Sequence, residues 1–84
     1  MVENRKYTGY RDCEGKPIFE GDIIHDQHYV GRGKREHYYE VIFKDGEAGM
    51  INIHNKANYI SFKSFTFTSE AVIGNKFDNP EYLK

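Results

Sequence analysis

Residues 38–43, YYEVIF, constrain the fold of this chain more than any other segment. Five of the six are β-branched or aromatic, which are the residue types that favour strands. Two residues later comes Asp45-Gly46, a pair in which both members can take the positive φ that a tight hairpin turn requires. By the two-residue period of a strand, apolar side chains occupy both faces of this segment. It therefore predicts a central antiparallel strand that is covered on both sides and returns through a hairpin.

The rest of the chain repeats this pattern on a small scale. It has 84 residues and 15% aromatic residues, with no long helical stripe, so its core must come from short aromatic-rich strands. Further strands are expected at residues 23–30, 48–53, 59–62, 65–68 and 71–74, and residues 18–20 are a short segment with two apolar positions. Turns or loops are expected at residues 7–17, 31–35 and 54–58, and a turn or bulge near residues 63–64. Short strands joined by regular turns indicate a small barrel or a strongly bent sheet. Between these, we predict one mainly β domain over residues 1–84, a small partly open SH3-like β-barrel, with residues 1–6 as a flexible N-terminus.

Three local signals accompany these strands. Gly15 is expected to take a positive φ in a tight turn after Glu14. Asp22 precedes a strand and is expected to accept hydrogen bonds from nearby backbone amides. Asn79-Pro80 is expected to begin one short C-terminal helical turn, with Asn79 as the N-cap. The topology of residues 25–60 is left open by the sequence.

Charge and cysteine content narrow the function only slightly. The net charge is −1, which gives no general attraction to nucleic acid or to an anionic membrane. The single cysteine, Cys13, cannot form an internal disulfide, and the N-terminus lacks the apolar stretch of a signal peptide. No run approaches the roughly 18 apolar residues of a membrane span. We therefore expect a cytoplasmic protein with no membrane partner.

Three separated blocks of the sequence resemble the YopX family of small phage and prophage proteins. The first block comprises Tyr7-Thr8-Gly9, Asp12, Gly15-Lys16, Ile18 and Glu20-Gly21-Asp22-Ile23-Ile24. The second comprises Glu40-Val41-Ile42-Phe43 with Asp45-Gly46, and the third comprises Val72-Ile73-Gly74-Asn75 with Asn79-Pro80-Glu81-Tyr82-Leu83. The chain departs from the family pattern at Tyr10, where an aliphatic residue is usual, and at Cys13, a site that is more often polar.

The resemblance implies a mainly β fold with a small barrel core and a protein of unknown function. The family motif consists of glycines, turn carboxylates and a helix cap, all of which look structural. The resemblance therefore carries over no catalytic residue and no cofactor.

Candidate metal and catalytic residues each have a simpler interpretation. His25, His28, His37 and His54, with Asp26 and Cys13, suggest zinc ligands, but His25 and His28 point to opposite faces of a strand. Cys13 lies between two carboxylates, which raise the pKa of a thiol and disfavour a nucleophile. Asp22, Asp45 and Asp78 each lie at a turn, where capping explains them. We therefore predict surface histidines, no metal, no cofactor and no enzyme activity.

The basic segment 31–35 is the strongest functional signal. Arg32, Lys34 and Arg35 lie in a Gly-rich loop, and Tyr38 is one of the tyrosines that flank it. Cations beside aromatic side chains suit phosphate contact together with base stacking. This segment predicts a nucleic-acid site at these four residues, although a solvated loop tip is the commoner explanation.

Self-association is the competing and preferred hypothesis. A chain with this many aromatic residues has difficulty burying all of them, and exposed apolar patches tend to become interfaces. Tyr59, Phe62, Phe65 and Phe67 are the predicted self-interface, unless these aromatics fill one compact core. We therefore expect a non-enzymatic homo-oligomeric or protein-interaction module whose partners are itself, or a host or phage protein. Nucleic-acid binding is the alternative.

Overall fold

The computed structural model describes residues 5–83, and at His28 the backbone alone. Within this range, seven strands form two antiparallel sheets. The small sheet pairs β1 (Tyr7–Arg11) with β2 (Pro17–Phe19). The large sheet has the order β6-β5-β4-β3-β7, and its strands are β3 (Asp22–Val30), β4 (Gly33–Lys44), β5 (Glu47–Asn52), β6 (Asn55–Ser61) and β7 (Ala71–Asn75). The mainly β prediction is confirmed, and the described strands do not close into a barrel.

The predicted central strand is β4, which lies in the middle of the large sheet. Its hairpin to β5 is confirmed, because Asp45 and Gly46 have φ of 53° and 82° and join Lys44 to Glu47. Both positive values match the mirror-image turn whose twist suits two antiparallel strands. The YYEVIF run therefore lies in the middle strand of the large sheet, with β3 and β5 paired on its two sides.

The core lies on one face of the large sheet. Cross-strand partners point to the same side of a sheet, and the registers align Ile24, Tyr39, Val41 and Met50 on this side. Ile18 of β2 and Phe62 of the 3-10 turn Phe62–Ser64 complete the buried cluster. The small sheet thus covers the large one by inserting Ile18 into its core.

The opposite face of the large sheet is partly covered by the C-terminal segment. Tyr82 lies in the 3-10 turn Pro80–Leu83, and its ring stacks on Tyr38 with centroids 5.8 Å apart. Ile23 is fully buried although it points away from the main core. The prediction of a short C-terminal helical turn is confirmed. Asn79 precedes it, and its side-chain oxygen accepts from the Asn75 amide at 3.2 Å.

Three local predictions about the chain were wrong. Residues 7–17 are not all turn, because β1 occupies the first five of them and pairs with β2. Residues 54–58 are not a loop, because β6 begins at Asn55 after a tight turn. Residues 65–68 form no strand, because the chain leaves the sheet through the 3-10 turn that the bulge near residues 63–64 had indicated. In the first two cases strand pairing outweighed local residue preference, and in the third the aromatic side chains pack into the core without forming a strand.

The predicted flexible N-terminus lies partly outside the described residues, which begin at Arg5. The Arg5 guanidinium donates to the Asp22 carboxylate, and the Lys6 ammonium lies 4.4 Å from the centre of the Phe43 ring. Arg5 and Lys6 are therefore in contact with the folded chain, and flexibility of residues 1–4 stays a prediction.

Candidate functional site

The β3–β4 hairpin extends beyond the rest of the large sheet. β7 pairs with β3 only up to His25, and β5 pairs with β4 only from Tyr39 onward. Residues 27–36, which we call the arm, therefore pair only with one another within the sheet. The molecule measures 42 × 28 × 26 Å, so its shape is elongated. Such a two-stranded ribbon has two strand edges and two faces available for contact.

The end of the arm exposes apolar side chains. Tyr29 is 73% exposed and Val30 is 51% exposed. They end β3 just before the two-residue turn Gly31-Arg32, in which Gly31 has a φ of 60°. A two-stranded hairpin is marginally stable in water by itself. The exposed tyrosine and valine form an apolar patch at the end of this hairpin.

The predicted basic loop is shorter than expected. Residues 31–35 do not form one loop, because β4 begins at Gly33 and places Lys34 and Arg35 on a strand. Glycine at the first turn position allows a two-residue connection, so the hairpin continues almost to its end. Lys34 and Arg35 are consecutive, and a strand sends consecutive side chains to opposite faces. Arg32, Lys34 and Arg35 are all exposed.

Tyr38 does not join these cations. It lies four residues from Lys34, about 13 Å along the strand at the usual rise. Its ring stacks on Tyr82 and also lies 4.8 Å from the His25 ring, centroid to centroid. The structure therefore brings together three of the four residues predicted for nucleic-acid contact, and places Tyr38 in the covered part of the sheet.

The predicted self-interface residues are mostly packed within the chain. Phe62 is 1% exposed and lies in the core, where Phe67 meets it edge to face at 5.0 Å between ring centroids. Phe65 packs on Phe67 in the same way at 5.0 Å. The Tyr59 ring packs directly on Gly49, so close that a Cβ at position 49 would overlap the ring. Phe62 is thus a core residue, because the 3-10 turn directs its ring inward, and the other three are half-buried.

A carboxylate that the sequence analysis did not single out as a site connects the two sheets. Asp12 is buried, and its Oδ1 accepts from the amides of Glu14 and Lys16, both at 2.9 Å. Its Oδ2 accepts from the Val72 amide at 2.9 Å. Burial opposes ionisation, but the three amide hydrogen bonds outweigh it and lower the pKa of Asp12 below its ordinary 3.8. Asp12 therefore holds the β1–β2 turn against β7.

Neighbouring side chains add further contacts along the outer edge of β7. The Val72 carbonyl accepts from the Lys16 ammonium at 3.5 Å, and the Asn75 amide donates to Asn79. Edge strands expose backbone groups that another strand can pair with, and here side chains occupy several of them. β7 is therefore a poor site for strand addition.

Two of the three turn carboxylates accept hydrogen bonds from within the chain. Asp22 accepts from the Phe19 amide at 2.8 Å, and Asp78 accepts from the Asn75 side chain at 3.1 Å. Asp45 lies in the β4–β5 turn. Glu70, which the sequence analysis missed, is buried and accepts from the amides of Thr68 and Ser69. Capping positions were identifiable only where a glycine or asparagine marked the turn.

The structure describes the side chains of three of the four histidines, each in a different setting. His25 Nε2 lies 3.0 Å from Glu36 Oε1, and the His37 ring lies 6.2 Å from the Tyr39 ring. His54 is in the turn between β5 and β6. Among the side chains that the structure describes, which exclude that of His28, no three potential metal ligands come together.

Cys13 is exposed in the β1–β2 turn. Local desolvation raises the pKa of its thiol, and the charges of Asp12, Glu14 and Glu70 raise it further. The direction that the two flanking carboxylates predicted is confirmed. A raised pKa reduces the thiolate fraction at neutral pH, so the side chain is a weak nucleophile there.

The described chain is thus a small antiparallel β protein with an exposed hairpin arm and structural carboxylates. Its helical elements within residues 5–83 are 3-10 turns, and none is long and apolar enough to span a bilayer. The model of the YopX family, described as YopX protein, matches residues 3–84. The chain therefore belongs to the YopX family, as its three sequence blocks predicted. No curated protein and no solved structure matches the chain significantly.

Proposed function

We propose that this YopX-family protein is a non-enzymatic binding module of phage or prophage origin, acting in the bacterial host cytoplasm through its arm. The observation that carries the proposal is the exposure of Tyr29 and Val30 at the end of a hairpin that no other strand within residues 5–83 flanks. Apolar residues presented in this way lose unfavourable contact with water when a partner covers them. The carboxylates of Asp12 and Glu70 accept hydrogen bonds from backbone amides, and Cys13 is a weak nucleophile. Both observations support a role in binding.

The first partner to consider is a second copy of the chain, or another host or phage protein. The aromatic surface first suggested for self-association, at Tyr59, Phe65 and Phe67, is half-buried by internal packing. The arm offers more exposed apolar area, so we place the self-interface there. Closed symmetric homo-oligomers are the usual outcome of such contacts.

Nucleic acid is the second candidate partner. It is favoured by one observation, which is the collection of Arg32, Lys34 and Arg35 at the end of the arm. Basic side chains on an exposed ribbon suit contact with phosphate groups.

We also propose that the two sheets together form a partly open barrel of the SH3 type. The insertion of Ile18 into the core and the Asp12 contact with Val72 support this, because both hold the small sheet against the large one. An experimental structure compared with SH3-type barrels would test it.

The experiment for self-association is light scattering across a concentration series. We expect a solution mass above 9.9 kDa that falls toward this value in the double variant Tyr29→Ser/Val30→Ser. Tyr7→Ser is the matched control, because Tyr7 is also an exposed tyrosine but lies on β1. A mass of 9.9 kDa at every concentration would contradict the homo-oligomer.

A further inference from the structure

We propose that the arm enters a groove of a nucleic-acid duplex with its turn first, and that its cations contact the phosphates on both sides of the groove. This inference rests on the proposed function, because it assumes that the arm is the contact element. It adds the class of partner and the direction of entry.

Charge is distributed unevenly between the arm and the rest of the chain. The arm contains three of the 12 basic side chains and one of the 13 acidic ones, Glu36. The remaining residues therefore carry nine basic and twelve acidic side chains and are net negative. Glu36 lies at the base of the arm, where it is 3.0 Å from His25 and 3.9 Å from Lys34. The end of the arm is thus a local cationic patch on an otherwise anionic molecule, which favours an anionic partner.

The cations of the arm lie on different sides of the ribbon. Lys34 pairs with Tyr29, and Arg35 pairs with His28, so Lys34 and Arg35 belong to opposite faces of the ribbon. Arg32 lies in the turn that joins β3 to β4. A flat anionic surface would contact only one face at a time. A groove with phosphates on both walls contacts both faces and the turn together.

The dimensions of the arm match those of a duplex groove. Two paired strands are about 4.8 Å apart, and a sheet with its side chains is about 10 Å thick. The major groove of B-form DNA is about 12 Å wide and 8.5 Å deep and admits a two-stranded ribbon. Four residues on each strand give the arm a length of about 13 Å, which exceeds the depth of the groove.

The small aromatic surface of the arm favours a duplex over a single strand. Single-stranded ligands are held largely by bases that stack on aromatic side chains. Tyr38 is already stacked on Tyr82, and among the side chains of the arm that the structure describes, Tyr29 is the exposed aromatic one. One exposed ring is a small stacking surface, whereas three cations on two faces and a turn suit the two backbones of a duplex.

The test is fluorescence anisotropy with a labelled 20-base-pair DNA duplex and the corresponding single strand. We expect the duplex to bind more tightly at 50 mM salt, with a log–log salt slope near −2.7 for three phosphate contacts. Lys34→Ala and Arg35→Ala are each expected to reduce the slope by about 0.9. Lys34→Arg is expected to restore it, and Lys56→Ala, an exposed lysine on β6, is the control that leaves it unchanged.

The contrary results are equally specific. No duplex binding at 50 mM salt, equal or tighter binding of the single strand, or a slope that the arm variants leave unchanged would overturn the inference. Light scattering on the same samples separates this failure from failure of the proposed function. If Tyr29→Ser/Val30→Ser lowers the solution mass while DNA does not bind, the arm is a protein contact. If neither changes, both proposals fail.

Discussion

Replacing Asp12 by alanine is expected to destabilise the protein more than any other change of an acidic residue in the β1–β2 turn. The carboxylate accepts three backbone amide hydrogen bonds, from Glu14, Lys16 and Val72, each at 2.9 Å. Two of these shape the β1–β2 turn and the third attaches that turn to β7. Alanine removes all three acceptor contacts and leaves the Val72 amide without its partner at the junction of the two sheets.

The magnitude follows from the environment of each amide. Hydrogen bonds to a charged group contribute about 1.5–3 kcal/mol each. The amides of Glu14 and Lys16 belong to exposed residues and can bind water after the change, so the full sum is not lost. We expect Asp12→Ala to lower the free energy of unfolding by about 2–4 kcal/mol. A chain of this length has about 4–12 kcal/mol in total. The midpoint temperature should fall by about 10–25 °C.

Urea unfolding followed by far-ultraviolet circular dichroism measures this loss. Asp12→Asn keeps one acceptor oxygen and should lose about 1–2 kcal/mol, less than alanine. Glu14→Ala removes a neighbouring exposed carboxylate and should change stability by less than about 0.5 kcal/mol. An Asp12→Ala variant within 0.5 kcal/mol of the parent would refute the reasoning that this residue joins the two sheets.

Two further predictions concern pH and packing. Because the pKa of folded Asp12 lies below its ordinary 3.8, its contribution to stability is present above about pH 4 and is lost as the pH falls through the folded value. The difference in unfolding free energy between the parent and Asp12→Asn should therefore shrink below about pH 4, and a constant difference down to pH 2 would contradict the assignment. Gly49→Ala should cost about 1–3 kcal/mol in urea unfolding, because its Cβ would overlap the Tyr59 ring. In Gly33→Ala the nearest atom would be 3.5 Å away, so an equal loss in that control would argue against the overlap.

The strands that the sequence predicted correctly are those with strong local signals. The run at residues 38–43 and the turn at Asp45-Gly46 carry both strand preference and turn chemistry, and both were found. β1 was missed because its sequence, YTGYR, contains a glycine and polar residues, and its strand character depends on pairing with β2. Residues 65–68 had the opposite property. Their aromatic residues favour a strand, but they pack on Phe62 after a 3-10 turn.

The candidate site was predictable in composition but not in geometry. The sequence placed Arg32, Lys34 and Arg35 together, yet it could not show that Lys34 and Arg35 lie on opposite faces of a ribbon. That depends on a two-residue turn at Gly31-Arg32, where a longer loop had been expected. The role of Asp12 was also hidden, because its third partner, Val72, is 60 positions away in the chain.

The most direct test of the account is an NMR titration of the ¹⁵N-labelled protein with a short DNA duplex. If the arm enters the groove, amide shifts concentrate at residues 29–35, on both strands and the turn of the arm, and they diminish as salt is raised. Shifts that concentrate on β6 or on the C-terminal turn while the arm stays unchanged would contradict it, as would a spectrum that the duplex does not alter at 50 mM salt.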